Sequence, residues 1–301
     1  MYAIINLNKE KDISSFKQIK MLKSIFINQK IGHTGTLDPL AQGVLVVCIG
    51  KATRLADYIQ SQTKTYQAEL LLGFSTDSYD ITGKITDVYD ISDITDEMIR
   101  KTILSFKGIQ NQKPPIYSAK KVNGKKLYQY ALQDKKVDIK DSVINIYDIS
   151  LDSITDDFYQ EIKVKKVIFT IYCSKGTYIR SLCNDIGEIL ESGGTMSNLT
   201  RKSVGNFKTE NSYTINEIIK FHENKRLNDI FTPIEDAIFL DTLIIKDEDL
   251  KKYLNGIKIQ TNYKSNEYII KDEQKTIIGI GKVDDFGILK GKVMLYECNN
   301  Q

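Results

Sequence analysis

Asp38 lies in the segment GHTGTLDPLAQG, residues 32–43, between a glycine-rich stretch and Pro39. A carboxylate in such a place can cap a backbone amide, pair with a cation, or attack an electrophilic carbon. Gly32 and Gly35 permit sharp turns and the close approach of another backbone. Pro39 fixes the chain after Asp38 and biases Asp38 itself toward an extended conformation. A short carboxylate is thereby carried on a stiff loop that leads into the apolar run VLVVCIG. His33, one of only 2 histidines, precedes it in the same loop. Asp-Pro is also a frequent turn pair, and a plain turn capped by Asp38 describes the same residues.

Two further segments carry groups that would complement a reactive carboxylate. In KTYQA, Tyr66 stands on a strand pattern between polar neighbours. In SKGTYIRSL, a glycine turn opens a helix whose first turn carries Tyr178 and Arg180. The helix macrodipole disfavours a cation at that end, and a nearby carboxylate removes the objection. For Tyr178, an ordinary core ring with its hydroxyl at the edge is the alternative. Arginines are few (Arg54, Arg100, Arg180, Arg201 and Arg226) in a chain whose default cation is lysine. Each is therefore a candidate for the planar guanidinium fork.

These groups must be held by a mixed set of elements. YAIINL reads as a first strand. Ser14 or Ser15 caps a helix with Phe16, Ile19, Leu22, Ile25 and Phe26 on one face. Ala52, Leu55, Ala56 and Ile59 have the spacing of a short amphipathic helix. The strand KTYQAELLLG leads into STDSYDITGK, whose composition marks an irregular, exposed loop. A helix is expected near residues 96–106. The Pro114-Pro115 pair forbids helix at the start of the next segment. Strands are expected near residues 143–151, 160–165 and 167–173. A helix over about residues 177–191 buries Ile179, Leu182, Cys183, Ile186 and Leu190. Thr214 and Glu217 have capping-box spacing. After roughly Asp236, short alternating runs such as EYIIKD and TIIGIGKV predict a small β domain. Strands and helices without strict alternation make the fold class α+β rather than doubly wound.

The 301 residues fit one large domain plus a small one, and 41% hydrophobic with 27% charged residues fits a soluble globular protein. No run approaches the length of a membrane span. The N-terminus lacks the pattern of a signal peptide, which implies a cytoplasmic protein. The 4 cysteines, Cys48, Cys173, Cys183 and Cys298, form no CxxC pair and read as reduced, mostly buried thiols. With only 2 histidines, no zinc constellation is visible. Net charge is +3, but Lys113, Lys120, Lys121, Lys125 and Lys126 cluster without an acid among them. That patch is either a solvated lysine face or a seat for several phosphates.

The string GHTGTLDPLAQGVLVVCIGKAT resembles the signature of the bacterial TruB family, the tRNA pseudouridine-55 synthases. KTYQAELLLGFSTDSYDITG, PPIYSAKKVNGKKLYQYA, SKGTYIRSLCNDIG and LTRKSVGNF resemble further motifs of that family, in its order and at its approximate spacing. The likeness runs from Tyr2 to about Asp236 and continues more weakly beyond. One departure is local. Where the family has a lysine-proline-glycine turn, this chain has NKEKDISS, with neither the proline nor the glycine.

The resemblance implies a pseudouridine synthase domain over residues 1–236, with a mixed, largely antiparallel sheet and an RNA-gripping insert at about 107–140. It implies a PUA-like RNA-binding domain over 237–301. The implied reaction isomerises a uridine flipped out of the tRNA T loop, with Asp38 as nucleophile. Tyr66 would stack on the uracil, Tyr178 would lie in the pocket, Leu199 would line it, and His33 would contact displaced RNA. Arg180 would pair with Asp38, its other edge held by Asp77 or Asp80. Lys120, Lys121, Lys125 and Lys126 would meet the RNA backbone. The reaction gains no atoms and changes no oxidation state, so no metal or organic cofactor is expected. The expected partner is the T arm of tRNA, with no membrane and no obligate protein partner, and the chain is expected to be a monomer. Two rivals are an RNA chaperone on the same fold and a carboxylate-dependent glycosidic hydrolase. The hydrolase would ordinarily need a second cooperating carboxylate.

Overall fold

The computed structural model describes residues 1–296 apart from 119, 123, 132, 134 and 136. Cys298 lies outside the described residues. β1 (Tyr2–Lys9) leads to α1 (Ser15–Met21), β2 (Ile31–His33), β3 (Gln42–Gly50), α2 (Ala56–Gln60) and β4 (Lys64–Leu72). The short strands β5 (Phe74–Thr76) and β6 (Ile85–Val88) pair with each other. α3 (Asp96–Ser105) and β7 (Gly108–Gln112) precede a small hairpin, β8 (Lys121–Val122) and β9 (Lys125–Lys126), and then α4 (Leu127–Ala131). β10 (Ser142–Tyr159), β11 (Ile162–Cys173), α5 (Ile179–Ile189), β12 (Gly194–Val204) and β13 (Phe207–Lys208) follow, and α6 (Ile215–Glu223) and α7 (Ile234–Ala237) close this part of the chain.

The main sheet has the order β1-β3-β12-β4-β11-β10-β7, with β2 added to β3 and β13 to β12. Its pairs are antiparallel except β12 with β3. β3 reads as an unbroken apolar run because both its faces are covered. Val44, Val46 and Cys48 enter one core cluster, and Leu45, Val47 and Ile49 enter another. β4 alternates instead. Tyr66, Ala68 and Leu70 are buried on the side of α3 and α5, while Thr65, Gln67 and Glu69 stay half-buried on the other face. α5 buries Ile179, Leu182, Cys183 and Ile186, and Leu190 just beyond it, as the spacing predicts. It lies hard against β12 because neither chain has a side chain at the crossing. A Cβ on Gly187 would collide with the backbone at Gly193 and Gly194, and one on Gly194 with the carbonyl of Cys183.

Several local expectations need correction. Phe16 is 66% exposed. α1 ends at Met21 and continues as the tighter 3-10 turn Leu22–Ser24, so Ile19, Leu22 and Phe26 reach the core and Phe16 faces away. Gln160 does not begin a strand. It turns the β10–β11 hairpin with φ 54°, and β11 runs unbroken through Lys165 and Lys166. Those lysines do not interrupt it because Asp96, Asp156 and Asp157 pair with them. The capping box of Thr214 and Glu217 is present at α6. Cys48, Cys173 and Cys183 are free and buried.

A second sheet follows. β14 (Asp241–Ile244) and α8 (Asp247–Leu254) precede β15 (Ile259–Gln260), β16 (Asn266–Lys271), β17 (Ile277–Val283) and β18 (Ile288–Met294), in the order β14-β16-β17-β18-β15. It has its own core around Tyr253, Ile270 and Leu289. It also shares a core with the larger part, where Ile269, Ile280 and Leu295 join Leu55, Ile59 and Ala237. Arg54 donates to the carbonyl of Met294 and Lys51 to that of Tyr296, each at 2.7 Å. Among the described residues, no helix is long and apolar enough to cross a membrane.

Candidate active site

The Asp38 loop is held from three sides. Ser15 Oγ donates to the carbonyl of Leu37 and accepts from its N–H, both at 2.9 Å. Lys9, with no exposed surface, donates from Nζ to the carbonyls of Glu10 at 2.9 Å, Pro39 at 3.2 Å and Ala41 at 2.5 Å. Arg201, also buried, donates from Nε to Val44 O at 2.7 Å and from Nη2 to Gly35 O at 3.0 Å. The turn after Lys9 contains neither proline nor glycine. Asp12 adopts φ 63°, in the left-handed region that aspartate tolerates better than most residues, and donates to Pro39 O at 2.8 Å.

Asp38 meets Arg180 through a bidentate pair. Nε lies 2.9 Å from Oδ2, and Nη2 donates to Oδ1 at 3.1 Å. The guanidinium is buried. Its Nη1 faces Asp80 Oδ2 at 3.4 Å and donates to Ser78 O at 3.2 Å, while Nη2 also donates to Tyr117 O at 2.8 Å. Asp80 and not Asp77 therefore holds the far edge. The Asp77 carboxylate instead accepts from Lys84 N–H at 2.9 Å. The STDSYDITGK loop is also not exposed as a whole, since Thr76, Ser78 and Asp80 are buried. Its polar groups satisfy one another. Asp80 Oδ1 accepts from Ser78 Oγ at 2.9 Å, Thr82 N–H at 2.9 Å and Thr82 Oγ1 at 2.5 Å.

A cavity of about 710 Å³ opens beside the pair. Asp38, Arg180, Tyr66, Tyr178, Leu199, Arg201 and Lys64 are among its lining residues. Tyr66 on β4 stands directly opposite Arg201 on β12, and Leu199 opposite Ala68, which places Tyr66 and Leu199 on one wall. Lys64 is nearly buried and donates to the carbonyls of Gln60 and Gln62, each at 2.6 Å. Lys120 also lines the cavity, but its Nζ is engaged by Ser142 Oγ at 2.6 Å and Lys140 O at 3.2 Å. Lys121, Lys125 and Lys126 are exposed and are not among the lining residues. Nor is His33, which sits half-buried on β2 with its Nδ1 unpartnered.

The electrostatics follow from this burial. Desolvation raises the Asp38 pKa above the ordinary aspartate value and the charge of Asp80 adds to that, while Arg180 and Lys9 oppose it. Burial pushes Lys9 and Lys64 each down to about 8. Burial, reinforced by Arg201, keeps His33 below its usual pKa. Tyr66 and Tyr178 are both raised, first by burial.

Residues 23–179 match the family model described as TruB family pseudouridylate synthase (N terminal domain), and residues 180–238 match that of the tRNA pseudouridylate synthase B C-terminal domain. The chain belongs to the TruB family. It is 39% identical to the tRNA pseudouridine synthase B of Clostridium kluyveri over 95% of this chain and 97% of that one. It is 38% identical to the enzyme of the same name from Clostridioides difficile over 94% and 95%. Among solved structures, its fold is similar to a chain of an H/ACA RNP bound to a substrate RNA containing 2′-deoxyuridine, with TM-score 0.68, 22% identity, and coverage of 98% of this chain and 84% of that chain. A chain of a Cbf5-Nop10-Gar1 complex gives TM-score 0.68 at 24% identity, with the same coverage. The chain is thus an enzyme of the tRNA pseudouridine synthase class, on the α+β fold that its motifs predicted.

Of the residues singled out from sequence, Asp38, Tyr66, Tyr178, Arg180, Leu199 and Lys120 meet at the cavity, with Asp80 behind Arg180. Lys9 and Lys64 are not singled out from sequence, and Arg201 only as one of the scarce arginines. Arg201 had a signal, because arginine is scarce here and this one lies inside LTRKSVGNF. Lys9 had none, since the carbonyls of Pro39 and Ala41 that it holds are distant in sequence.

Proposed function

We propose that this TruB-family enzyme isomerises the uridine at position 55 in the T loop of tRNA, with Asp38 as nucleophile. The observation that carries the reading is the bidentate Asp38–Arg180 pair at the edge of a cavity walled by Tyr66, Tyr178 and Leu199. At about 710 Å³ the cavity lies within the usual range for a small bound group, about 300–1,000 Å³. A base inside a folded tRNA reaches such a site only by leaving its stack. The Tyr66 ring offers a replacement surface.

The reaction breaks the bond from ribose C1′ to uracil N1, turns the ring, joins C1′ to C5, and loses the C5 proton while N1 gains one. Asp38 must be ionised to act. Arg180 and Lys9 favour the ionised form against burial. Arg180 also fixes both oxygens in one plane, so the carboxylate is oriented before substrate arrives. His33 meets displaced RNA outside the cavity, and Lys121, Lys125 and Lys126 meet phosphates. Lys120 acts at the mouth of the cavity. We further read residues 1–236 as the catalytic domain and the second sheet as a PUA-like RNA-binding domain, in a cytoplasmic monomer that needs no protein partner or cofactor.

A hydrolase is disfavoured because Asp80 is buried behind Arg180 and committed to Arg180, Ser78 and Thr82. Incubation with unmodified tRNA, followed by nucleoside analysis, tests the reading. Pseudouridine at the T-loop uridine with no free uracil is expected. Free uracil would make the chain a hydrolase, and binding without either product would make it a chaperone.

A further inference from the structure

Three tethers join the root of the lysine-rich segment to the start of α5. Gln112, the last residue of β7, accepts from the N–H of Tyr178 at 2.8 Å and donates to the carbonyl of Tyr178 at 2.9 Å. Ser181 Oγ donates to the carbonyl of Lys113 at 2.8 Å, and Arg180 Nη2 to that of Tyr117 at 2.8 Å. Gln112 is 3% exposed, and Pro114 and Pro115 after it are buried.

A primary amide that spends both its functions on one residue's main chain imitates a paired peptide unit. It fixes rotation as well as position. Tyr178 needs such a partner, because as N-cap of α5 it has φ −98° and ψ 109° and no side-chain capping bond. The direction in which α5 begins is therefore set from outside the helix. The Tyr178 side chain lines the cavity, and Arg180, in the first turn, holds Asp38.

We propose that Gln112 is a positioning residue for the isomerisation, whose amide fixes the main chain at Tyr178 and so sets the Tyr178 ring and the Arg180 guanidinium against Asp38. This rests on the assignment of Asp38 and its cavity made above. The segment that carries Lys121, Lys125 and Lys126 is thereby rooted on the residues that orient the nucleophile.

If Gln112 only filled space, methionine would serve as well. Gln112→Glu separates the two roles. Ionised, the glutamate turns an oxygen toward the Tyr178 carbonyl where Nε2 now donates, and two acceptors face each other. Protonated, its hydroxyl donates to that carbonyl while its other oxygen accepts from the N–H, which restores the amide's pattern. Burial favours the neutral acid and lifts its titration toward the assay range.

The test is single-turnover rate and tRNA affinity for wild type, Gln112→Met and Gln112→Glu, from about pH 8.5 down to about pH 6, with the folded fraction followed by circular dichroism. Gln112→Met is expected to lose about tenfold or more in rate with affinity within about threefold of wild type. The Gln112→Glu rate, divided by that of wild type at each pH, is expected to rise about fivefold or more as pH falls. Division by wild type removes the titration of Asp38. If Gln112→Met folds poorly, the Gln112→Glu ratio decides alone. A flat ratio, or a methionine variant with wild-type rate, overturns the proposal. Asp38→Asn run beside them keeps the two readings apart. If it is inactive while the Gln112 variants behave as wild type, only the positioning role falls. If it turns over normally, the site assignment itself falls.

Discussion

Arg180 holds Asp38 edge to edge, Nε 2.9 Å from Oδ2 and Nη2 3.1 Å from Oδ1, with its other side against Asp80. The carboxylate is half-buried and the guanidinium buried, so the pair operates where charge is costly and geometry is fixed. Lys9 and Arg201 hold the loop that carries Asp38, and Tyr66, Tyr178 and Leu199 line the cavity beside the pair.

The pH dependence follows from the charges around Asp38. Its pKa is raised, so a rate that needs the ionised form falls as pH drops, and does so above the ordinary aspartate value of about 3.9. Asp80 contributes to that rise. Asp80→Asn is therefore expected to move the acid limb of kcat/KM to lower pH, even as the rate falls because Arg180 is less firmly held. A limb that stays put or moves upward contradicts the assignment.

Lys9 offers a test of stability. In Lys9→Met the buried carbonyl of Ala41 loses its donor, and a loss of about 1–3 kcal/mol in urea unfolding is expected. The sign of its pH dependence is also fixed. The folded pKa is about 8, below the unfolded value, so between the two the unfolded chain binds the extra proton and stability rises with pH. Lys64 is shifted the same way, also to about 8. The buried thiols of Cys48, Cys173 and Cys183 are raised and act in the opposite direction above about pH 9, so the test is the difference: wild-type stability minus that of the variant should rise between about pH 8 and 10.4. A flat difference would show that Lys9 does not titrate as placed.

The lysine-rich segment divides in two. Lys121, Lys125 and Lys126 are exposed, whereas Lys120 is tied to Ser142 and Lys140. Changing Lys121, Lys125 and Lys126 to Ala is expected to weaken tRNA binding and reduce the salt slope by about one unit per lost phosphate contact. Lys120→Ala should affect rate more than slope. A triple variant with the wild-type slope would make these lysines a solvated face.

Tyr66→Phe should keep tRNA binding, since stacking uses the ring and not the hydroxyl. Tyr66→Ala should lose roughly 1–3 kcal/mol of it. If the hydroxyl also relays the C5 proton, the phenylalanine variant binds normally and stalls after glycosidic cleavage. Single-turnover kinetics of both separate the roles, and equal losses in both variants would remove both from Tyr66.

The sequence made the site legible where the signal was local. The Asp-Pro loop, the arginine at a helix start and the period-2 burial of β4 each have a short-range pattern. Anchors such as Lys9 and Gln112 have none, because a side chain bonded to a carbonyl 32 or 66 residues away leaves no trace in its own neighbourhood. The STDSYDITGK loop misled for a different reason. A polar loop whose groups satisfy one another has the same composition as one that faces water. In the stretch after Lys9 that has neither proline nor glycine, Asp12 takes up the left-handed conformation.

The most direct measurement is tritium release from C5-labelled T-loop uridine by Asp38→Asn, beside tRNA affinity. The substitution replaces a carboxylate by an amide of nearly the same shape. Release is expected to be abolished, with affinity within about tenfold of wild type. Retained turnover would contradict the assignment of Asp38 as nucleophile.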